Sequence, residues 1–407
     1  MSHEREFDII IWGASGFTGR LVVEYIFKTY GNTPDLKWAM GGRNQAKLEQ
    51  VRAEMADDSL PIVIADSQDD ASLSAMVKRA KVICTTVGPY AKYGSKLVAA
   101  CVAEQTDYCD LTGEVQWMRR MIDQHHKAAK ANGTKIVHTC GFDSIPSDLG
   151  VYYVQQQAQQ QSGQRAQRIN MRVAAMKGGV SGGTYASLSN VMEEAMQDRN
   201  IYKTLTNPYG LNPAGEDSGP DKRDLQAVVY DKASRSWIFP FVMAGINTKV
   251  VRRSNALAGY PYGKDFRYEE AMMAGDGFGG RMKAYGAAIP LGLMVSAKPG
   301  SLLKRIFDWL LPSPGEGPNK ADREAGFYKF KLFTTLEDGS TAMGIVTGDK
   351  DPGYGSTSKM LAESAICLAK DELSSEGGVL TPAVAMGDAL LNRLVQNAGL
   401  TFDYQVK

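Results

Sequence analysis

A glycine-rich segment near the start of the chain has the residue types and spacing of a phosphate-binding turn. It follows the apolar run Phe7–Trp12, and its glycines recur at every third position from 13 to 19. A first glycine permits a tight turn, a second lets a pyrophosphate approach the backbone, and a third lets the next helix pack closely on the strand. The N-terminal N–H groups of that helix would hold the phosphates. The residues predicted to bind a dinucleotide here are Gly13, Ser15, Gly16, Phe17, Thr18 and Gly19.

The end of the second apolar run indicates which dinucleotide would bind. NAD sites usually carry an acidic residue there, which binds the ribose 2′-hydroxyl. No acidic residue occurs between Trp38 and Leu48, and Arg43 follows two glycines instead. A guanidinium can pair with a 2′-phosphate and stack on adenine. The alternative, which the sequence favours less, is an ordinary surface arginine at a helix start. We therefore predict NADP(H), with Asp66 either contacting the adenine or leading into a helix cap at 67–69.

Four residues at the end of the fourth apolar run form a second candidate contact with the cofactor. They are Val87, Gly88, Pro89 and Tyr90. In a doubly wound sheet the carboxyl end of this strand faces the nicotinamide side of the crevice. Gly88 would then admit the ribose, and Tyr90 would shape the nicotinamide pocket. A plain Gly-Pro turn is the alternative interpretation of the same residues.

Alternating apolar runs and helical spacings in the first third of the chain indicate the elements that must position these residues. Continuous apolar runs are typical of strands that are buried on both faces. Segments between them repeat their apolar residues every three or four positions, as a helix does. The alternation predicts an α/β fold with a doubly wound parallel sheet, the Rossmann fold. The predicted strands are Phe7–Trp12, Trp38–Met40, Pro61–Ala65, Val82–Val87, Asp107–Leu111 and Lys135–Thr139.

The middle of the chain has a different pattern. Period-two alternation on both sides of Glu337-Asp338-Gly339-Ser340 predicts a β-hairpin. Together with other strand-like segments, it predicts an α+β domain with a mixed, mainly antiparallel sheet. We expect a Rossmann domain over 1–145, a second domain over 146–350, and C-terminal helices over 351–407 that pack back on the first domain. The strand-like segments are Arg168–Met176, Leu225–Tyr230, Trp237–Val242, Tyr328–Leu336 and Thr341–Thr347.

Composition and charge disfavour several classes of function. The 407 residues carry 46 Lys and Arg against 45 Asp and Glu, so no basic surplus favours a nucleic acid. Neither the five cysteines nor the four histidines show metal-ligand spacing, which predicts no metal site and a reducing compartment. The segment before the first predicted strand, Met1 to Glu6, is short and polar, unlike a signal peptide. The uncharged stretch Ala284–Ala297 is shorter than the roughly 20 residues that span a bilayer. We expect a cytoplasmic protein, with peripheral membrane association left open.

Longer motifs place these observations in a family. The chain resembles the saccharopine dehydrogenase-like oxidoreductases, in the branch that contains the trans-acting enoyl reductases. The resemblance implies an NADP-linked reductase with a second, mixed-sheet domain over the nicotinamide, and a small-molecule or carrier-bound acyl substrate of lipid or polyketide type. The motifs are GASGFTG (13–19), GGR (41–43), VGPY (87–90), YCDLTGE (108–114), CGFDSIPSDLG (140–150), PGEGP (314–318), GDKDPGY (348–354) and GGVLTPAVAMGDAL (377–390).

The chemistry that the resemblance implies calls for particular side chains. Hydride transfer needs positioning and a dry cleft, and enoyl reduction also needs a proton source for the α-carbon. We predict Tyr90, Asp143 and Ser144 as catalytic candidates, because they follow strands whose carboxyl ends face the crevice. Asp143 and Ser144 would also suit the cap of a helix entered through Pro146. Other candidates are Tyr93, Tyr108, Asp110 and Glu114, of which Glu114 would also complement the start of its own helix.

Two other functions remain open at this level. A saccharopine-type dehydrogenase would act on an amino-acid C–N bond and should need several arginines in the second domain for the substrate carboxylates. Arg252 and Arg253 are the only adjacent arginines in the middle of the chain. The second is a non-catalytic, NADP-sensing regulator with a Rossmann fold, since a turn similar to GASGFTG occurs in such proteins.

One amphipathic segment suggests a surface role. From Ser301 to Leu311, leucines, Ile306 and Phe307 share one side of a predicted helix and the charged residues share the other. Such a helix covers a core, joins two copies in a homodimer, lines an acyl channel, or contacts lipid with Trp309 and its cations.

Overall fold

The computed structural model describes residues 5–178, 182–297, 301–310 and 317–406. Within these ranges the chain forms two compact units. The first is drawn from Met1–Ile145, Gly315–Gly317 and Gly353–Gly399, and the second from Pro146–Pro314, Pro318–Pro352 and Leu400–Lys407. The C-terminal segment is thus divided, since its helices belong to the first unit and its last strand to the second. The functional domain bounds proposed from the sequence stay a prediction.

The first unit is built on a parallel sheet of seven described strands. Their order is β13-β6-β5-β4-β1-β2-β3, and every neighbouring pair is parallel. All six residues of the central strand β1 are buried, as the apolar run in the sequence predicted. The strands are β1 (Phe7–Trp12), β2 (Trp38–Gly42), β3 (Ile62–Ile64), β4 (Ala80–Thr85), β5 (Asp107–Cys109), β6 (Lys135–Val137) and β13 (Gly378–Leu380).

The register of this sheet brings several strand ends to one edge. Trp12, the last residue of β1, pairs with Gly41 of β2 and with Thr85 of β4. The connection from β1 leads to β2 on one side, whereas β4 lies on the other. This is the strand-order reversal at which doubly wound sheets bind ligands.

Helices cover the sheet of the first unit. Helix α14 is buried along most of its length and packs on β1, β4, β5 and α1. Its Glu363, which is fully buried, accepts hydrogen bonds from the hydroxyls of Tyr25 (2.6 Å) and Tyr30 (2.7 Å) and pairs with Arg393 (3.4 Å). The helices are α1 (Phe17–Tyr30), α2 (Gln45–Met55), α3 (Asp70–Val77), α4 (Tyr90–Tyr93), α5 (Ser95–Ala103), α6 (Val115–Asn132), α14 (Thr357–Lys370) and α15 (Pro382–Asn397).

The second unit contains a mixed sheet, again of seven described strands. Their order is β14-β12-β11-β7-β10-β9-β8, with β10 and β7 parallel and the other neighbours antiparallel. The predicted fold class is therefore confirmed, including the hairpin of β11 and β12. The strands are β7 (Ala166–Lys177), β8 (Val229–Asp231), β9 (Ser236–Phe239), β10 (Arg267–Gly275), β11 (Phe327–Leu336), β12 (Thr341–Gly348) and β14 (Leu400–Val406).

The helices of the second unit differ strongly in burial. Twelve of the residues of α10 are buried, whereas α11 buries only Gly280 and Ala284 among its twenty residues. No described helix is long and apolar enough to cross a membrane. The helices are α7 (Ile145–Ser162), α8 (Gly182–Gln197), α9 (Arg199–Thr206), α10 (Ala244–Leu257), α11 (Gly277–Ser296), α12 (Leu302–Leu310) and α13 (Lys320–Glu324).

Candidate functional site

The glycine turn after β1 is closed by contacts that leave no room for side chains. Gly13 has a φ of +92°, and a Cβ placed on it would lie 2.7 Å from Val87 Cγ2. A Cβ on Gly19 would lie 2.1 Å from the Gly13 carbonyl oxygen, so α1 packs directly on the turn. The N–H groups of Gly13 and Ala14 donate to Gly41 O at 3.0 and 3.1 Å, which ties the turn to the end of β2.

The start of α1 is available to an anion. Its N-cap is Gly16, which supplies no side-chain cap, and its first turn contains no acidic residue. The hydroxyls of Ser15 and Thr18 are partly exposed, and neither bonds to another residue in the described part of the chain. These features fit a pyrophosphate, which would accept hydrogen bonds from the N–H groups of this helix.

Phe17 has a packing role that the sequence did not reveal. Its ring makes an edge-to-face contact with Tyr354, with centroids 4.7 Å apart. A Cβ on Gly317 would lie 2.4 Å from the same ring. Parts of the PGEGP and GDKDPGY motifs therefore lie beside the glycine turn and fix the first residue of α1.

Arg43 lies at the same edge of the sheet, two residues beyond the Gly41 that pairs with Trp12. Its side chain is exposed, as is that of Lys47, and neither pairs with a carboxylate among the described residues. Asn44 caps α2 by accepting a hydrogen bond from the N–H of Lys47 (3.0 Å). An unpaired guanidinium at this position suits the additional phosphate of NADP(H).

Asp66 shapes the loop after β3. Its carboxylate accepts from the N–H of Gln68 (2.9 Å), and its own N–H donates to Ser72 Oγ (3.0 Å). The cap of α3 is Asp69, which accepts from the N–H groups of Ala71 and Ser72. Of the two interpretations of this segment, the structure supports a capped helix start after Asp66, and a contact of Asp66 with adenine stays a prediction.

The segment from Val87 to Tyr90 lies against the glycine turn. The side chain of Val87 fills the position that a Cβ on Gly13 would need. The N–H of Val87 donates to Thr85 Oγ1 (3.2 Å), and the Gly88–Pro89 peptide bond is cis. Gly88 is exposed. The segment is thus in place to contact a dinucleotide held at the turn.

Tyr90 is turned towards the interior of the first unit. Its hydroxyl donates to Thr85 O (3.2 Å) and accepts from the N–H of Leu111 (3.4 Å), and its ring stacks on Trp117. Burial, followed by the negative charge of Asp110, raises the pKa of this hydroxyl well above its usual value. The arrangement favours a positioning role for Tyr90 over proton transfer.

Glu114 supports Tyr90 in a way that sequence analysis missed. Its buried carboxylate accepts from the N–H groups of Tyr90 (2.8 Å) and Ala91 (2.9 Å), the first residues of α4. It therefore caps α4, and it makes no side-chain cap at its own helix, α6. Glu114 stands at the N-cap position of α6, as expected, and its side-chain hydrogen bonds join it to an element 24 residues earlier.

A buried carboxylate and histidine occupy the ends of β5 and β6. Asp110 is fully buried and accepts from Tyr108 Oη (2.8 Å), His138 Nδ1 (2.7 Å) and the N–H groups of Thr112 (3.0 Å) and Thr139 (3.2 Å). His138 Nε2 is buried and has no hydrogen-bond partner in the described ranges. His138 was not a sequence candidate, yet the pairing of Cys109 with Val137 puts the next residues side by side.

Asp143 and Ser144 lie in a turn that α14 holds. The N–H of Phe142 donates to Thr357 Oγ1 (3.0 Å), and a Cβ on Gly141 would lie 3.1 Å from Thr357 Cγ2. Asp143 is partly exposed, whereas Ser144 is buried. Burial, followed by the charge of Asp110, raises the pKa of Asp143 to about 7. At neutral pH this carboxyl is therefore protonated in a large fraction of molecules.

These observations gather most of the predicted residues at one sheet edge. The glycine turn, Arg43, the 87–90 segment and the 141–144 turn follow β1, β2, β4 and β6, which run parallel and end on the same side. Among the described residues, no cluster of His, Cys, Asp or Glu side chains could hold a metal ion. The edge supplies what a dinucleotide needs together with one carboxyl that holds a proton near neutral pH.

Comparison with known proteins agrees with this geometry. Residues 9–137 match the family described as the saccharopine dehydrogenase NADP binding domain. Proteins named trans-acting enoyl reductase from Mycobacterium ulcerans and Mycobacterium leprae are 39% and 37% identical to the chain. The alignment covers 97% of both chains in the first case and 96% of both in the second.

A solved structure shares the fold. The apo histidine-tagged saccharopine dehydrogenase (L-Glu forming) from Saccharomyces cerevisiae superimposes with a TM-score of 0.58 at 12% sequence identity. The match covers 98% of this chain and 100% of the yeast chain. At this identity the likeness concerns the fold alone, including a parallel sheet and a second, mixed sheet.

Proposed function

This chain belongs to the saccharopine dehydrogenase-like oxidoreductases, in the branch of the trans-acting enoyl reductases, and we propose that it reduces the activated double bond of a thioester-linked acyl chain. It is an NADP-dependent oxidoreductase. The observation that carries the proposal is the placement, at one sheet edge, of an NADP-type turn and of Asp143, whose pKa is raised to about 7. A reductase needs both a held cofactor and a proton source.

The first unit would hold the cofactor with backbone N–H groups and with a cationic side chain. The N–H groups at the start of α1 would bind the pyrophosphate, with Ser15 and Thr18 as additional donors. Arg43 would pair with the 2′-phosphate, and a contact of Asp66 with the adenine is part of the proposal. Val87, Gly88 and Pro89 would contact the nicotinamide half.

The reduction requires a hydride and a proton. When bound, NADPH would supply a hydride for the β-carbon of the enoyl thioester, and the α-carbon would then need a proton from the protein. Asp143 is the proposed donor, because the residue as a whole is partly exposed and its carboxyl retains its proton to about pH 7. We assign positioning roles to Tyr90 and Ser144, since both side chains are buried.

A buried pair would support Asp143. The charge of Asp110 is one of the two causes that keep Asp143 protonated, and hydrogen bonds from Tyr108 and His138 hold Asp110 in place. Loss of Asp110 would therefore lower the pKa of Asp143 and shift the pH dependence of the reaction. This makes Asp110 a positioning residue in the proposal.

The substrate class is proposed from the relatives. Their names describe enzymes that act in trans, so we propose that the acyl chain is a lipid- or polyketide-like one presented on a carrier by another protein.

The competing C–N dehydrogenase finds less support in the second unit. Arg252 forms an ion pair with Asp221 (2.8 Å) and donates to Tyr268 O (2.8 Å). Arg253 is buried and donates to Leu211 O (2.5 Å). Both guanidinium groups are thus committed to the protein, and neither is available for the carboxylates of an amino-acid substrate.

A substrate panel tests the proposal. Purified protein is mixed with NADPH and trans-2-enoyl thioesters of increasing chain length, and absorbance loss reports NADPH consumption. In parallel, NADP⁺ is mixed with saccharopine and other secondary amino acids. We expect turnover with the enoyl thioesters, and a large loss of it in Asp143→Asn, but not in the control Asp58→Asn, whose carboxyl is exposed.

Two outcomes would contradict the proposal. Turnover with secondary amino acids alone would identify a C–N dehydrogenase. Tight NADPH binding without turnover on any substrate in the panel would favour the sensing role.

A further inference from the structure

Helix α11 is apolar and yet almost entirely exposed. Among its residues only Gly280 and Ala284 are buried, and both face β9 and β10, against which the helix packs. Phe278 is 78% exposed and Ile289 is 58% exposed. A helix of this composition normally lies in a protein core or against lipid.

The exposed side chains of α11 form a single stripe. Phe278, Met282, Tyr285, Ile289 and Leu293 are spaced by four, three, four and four residues, which keeps them on one side of a helix. At about 100° per residue, this stripe lies opposite Gly280 and Ala284. The apolar stripe therefore points away from the body of the second unit.

Helix α12 carries a second exposed apolar stripe. It packs on α11, and its Leu302, Ile306 and Trp309 repeat the spacing of four and three residues. Leu302 is 75% exposed and Trp309 is 83% exposed. We call the eight residues of the two stripes the apolar face. Contiguous apolar surface of this kind marks an interaction site, whereas single exposed apolar residues do not.

The charges around the apolar face are mainly positive. Lys283 and Arg305 are exposed and have no carboxylate partner in the described part of the chain, and Arg281 lies over the rings of Trp237 and Tyr285. The nearby acids are engaged, since Asp276 caps α11 and Asp308 pairs with Lys304. The helical spacing puts Arg281 and Lys283 on opposite flanks of the stripe.

The apolar face and its flanking cations favour one kind of binding partner. Two copies of the chain that met through this face would bring their cationic flanks together, which like-charge repulsion disfavours. An anionic bilayer surface would instead attract the cations and accept the apolar stripe, with Trp309 at the level of the headgroups. The uncharged stretch Ala284–Ala297 is too short to span a bilayer but long enough to lie in its surface.

We propose that α11 and α12 dock the protein on an anionic lipid bilayer, with the apolar face in the headgroup region and Arg281, Lys283 and Arg305 against the lipid phosphates. The inference does not rest on the proposed reaction, because it concerns the second unit only. It extends the lipid contact expected for 301–311 to α11, which contributes five of the eight residues.

Vesicle co-sedimentation of the full chain tests the proposal. Vesicles of phosphatidylcholine alone are compared with vesicles that also contain phosphatidylglycerol, at low and at high salt. We expect binding to the anionic vesicles that weakens as salt is added, because counter-ions screen the cations. The double variant Ile289→Glu/Trp309→Glu should bind about 100-fold more weakly, since two apolar anchors are lost.

A matched control adds the same charges elsewhere. Tyr202 and Val395 are also exposed apolar residues, but they lie outside α11 and α12. The double variant Tyr202→Glu/Val395→Glu should bind vesicles within about twofold of the original protein, because its apolar face is intact. Thermal unfolding and NADPH binding, measured on both double variants, establish that each is folded.

Three results would overturn the proposal. They are no binding to anionic vesicles, unchanged binding of the folded Ile289→Glu/Trp309→Glu variant, and equal loss of binding in the control. Sedimentation velocity adds a fourth, namely a dimer in the original protein that dissociates in the Ile289→Glu/Trp309→Glu variant. That result would make the face a contact between two copies.

Discussion

Two turns of this protein have nearly the same glycine geometry and different surroundings. Gly13 directly follows β1 and has a φ of +92°, and Gly275 is the last residue of β10 and has a φ of +98°. In each case a glycine in the next helix closes on the turn, because a Cβ on Gly19 or on Gly280 would lie 2.1 Å from the carbonyl oxygen of the strand-end glycine. The second turn even has the G-x-G-x-x-G spacing, over residues 275–280.

The surroundings decide what each turn can hold. At the first, Gly16 leaves the start of α1 without a side-chain cap, and parallel strands lie on both sides of β1. At the second, the carboxylate of Asp276 accepts from the N–H of Gly277 and from the hydroxyl of Tyr230 (3.1 Å). An anion would meet a negative charge there. The glycine pattern therefore specifies a turn, whereas neighbouring charge and sheet topology specify a phosphate site.

The largest predicted effect separates the two turns directly. Gly19→Ala and Gly280→Ala each place a Cβ 2.1 Å from a carbonyl oxygen, so each should destabilise its unit by about 3 kcal/mol. Only Gly19→Ala should also abolish NADPH binding, since it moves α1 away from the pyrophosphate. Chemical denaturation and fluorescence titration with NADPH measure the two effects. Equal NADPH affinity in the two folded variants would remove the distinction between the turns.

The next effect concerns the acid near the first turn. Asp143→Asn should lower kcat by about 100-fold, because a proton donor is lost. In the original protein kcat should fall as pH rises through about 7, where Asp143 loses its proton. Asp58→Asn serves as the control. A pH profile that is unchanged in a still-active Asp143→Asn variant would exclude this carboxyl as the donor.

The same carboxyl has a predicted effect on stability. Its pKa is raised on folding, so the folded state binds the proton more tightly than the unfolded state. Its contribution therefore favours folding at low pH and is lost as pH rises towards about 7. The unfolding free energy of Asp143→Asn, relative to that of the original protein, should therefore rise by about 4 kcal/mol between pH ~4 and ~8.

The preference for NADPH over NADH should change by a smaller factor when Arg43 is replaced. Arg43→Ala should weaken NADPH binding about 30-fold, since a charged hydrogen bond to the 2′-phosphate is lost. NADH binding should stay within about twofold, because NADH has no phosphate there. Arg199→Ala, which removes an exposed arginine from α9, is the control. Isothermal titration with both cofactors checks the prediction, and parallel losses for the two would show that Arg43 does not select the phosphate.

The smallest effect sharpens the account of the second turn. Asp276→Ala removes the N-cap of α11 and should cost about 1 kcal/mol of stability. It should not create a second NADPH site, because β10 has a parallel neighbour, β7, on one side only, and β9 on its other side is antiparallel, whereas β1 has parallel neighbours on both sides. A stoichiometry above one NADPH per chain in this variant would show that the acid alone had blocked the turn.

Much of the fold could be predicted because it depends on local patterns. Strands β1 to β6 of the first sheet alternate with helices over residues 7–137, and most of them are apolar runs. The hairpin of β11 and β12 alternates with period two. Strand β13 was missed because it lies outside the strand–helix alternation of the first third of the chain, and it forms by pairing with β6 from far away in the chain. Strand β10 was missed as well, since it mixes buried and exposed residues without strict alternation.

The candidate site shows the same division. The glycine turn, Arg43 and the 87–90 segment could be located because each follows directly on a strand. The pair of Asp110 and His138 could not, because it depends on the register of β5 and β6. The inward orientation of the Tyr90 hydroxyl and the cap that Glu114 makes on α4 also depend on packing between distant segments.

Isotope labelling follows the hydride and the proton of the proposed reduction. The protein is supplied with NADPH that carries deuterium at the hydride-donating carbon, and with a trans-2-enoyl thioester, and the product is analysed by mass spectrometry and NMR. The account predicts a saturated thioester with deuterium on the β-carbon and a solvent-derived proton on the α-carbon. Two results would contradict the proposed enoyl reduction. They are consumption of the labelled NADPH with no deuterium on the β-carbon, and transfer of the deuterium to the carbon of a C–N bond.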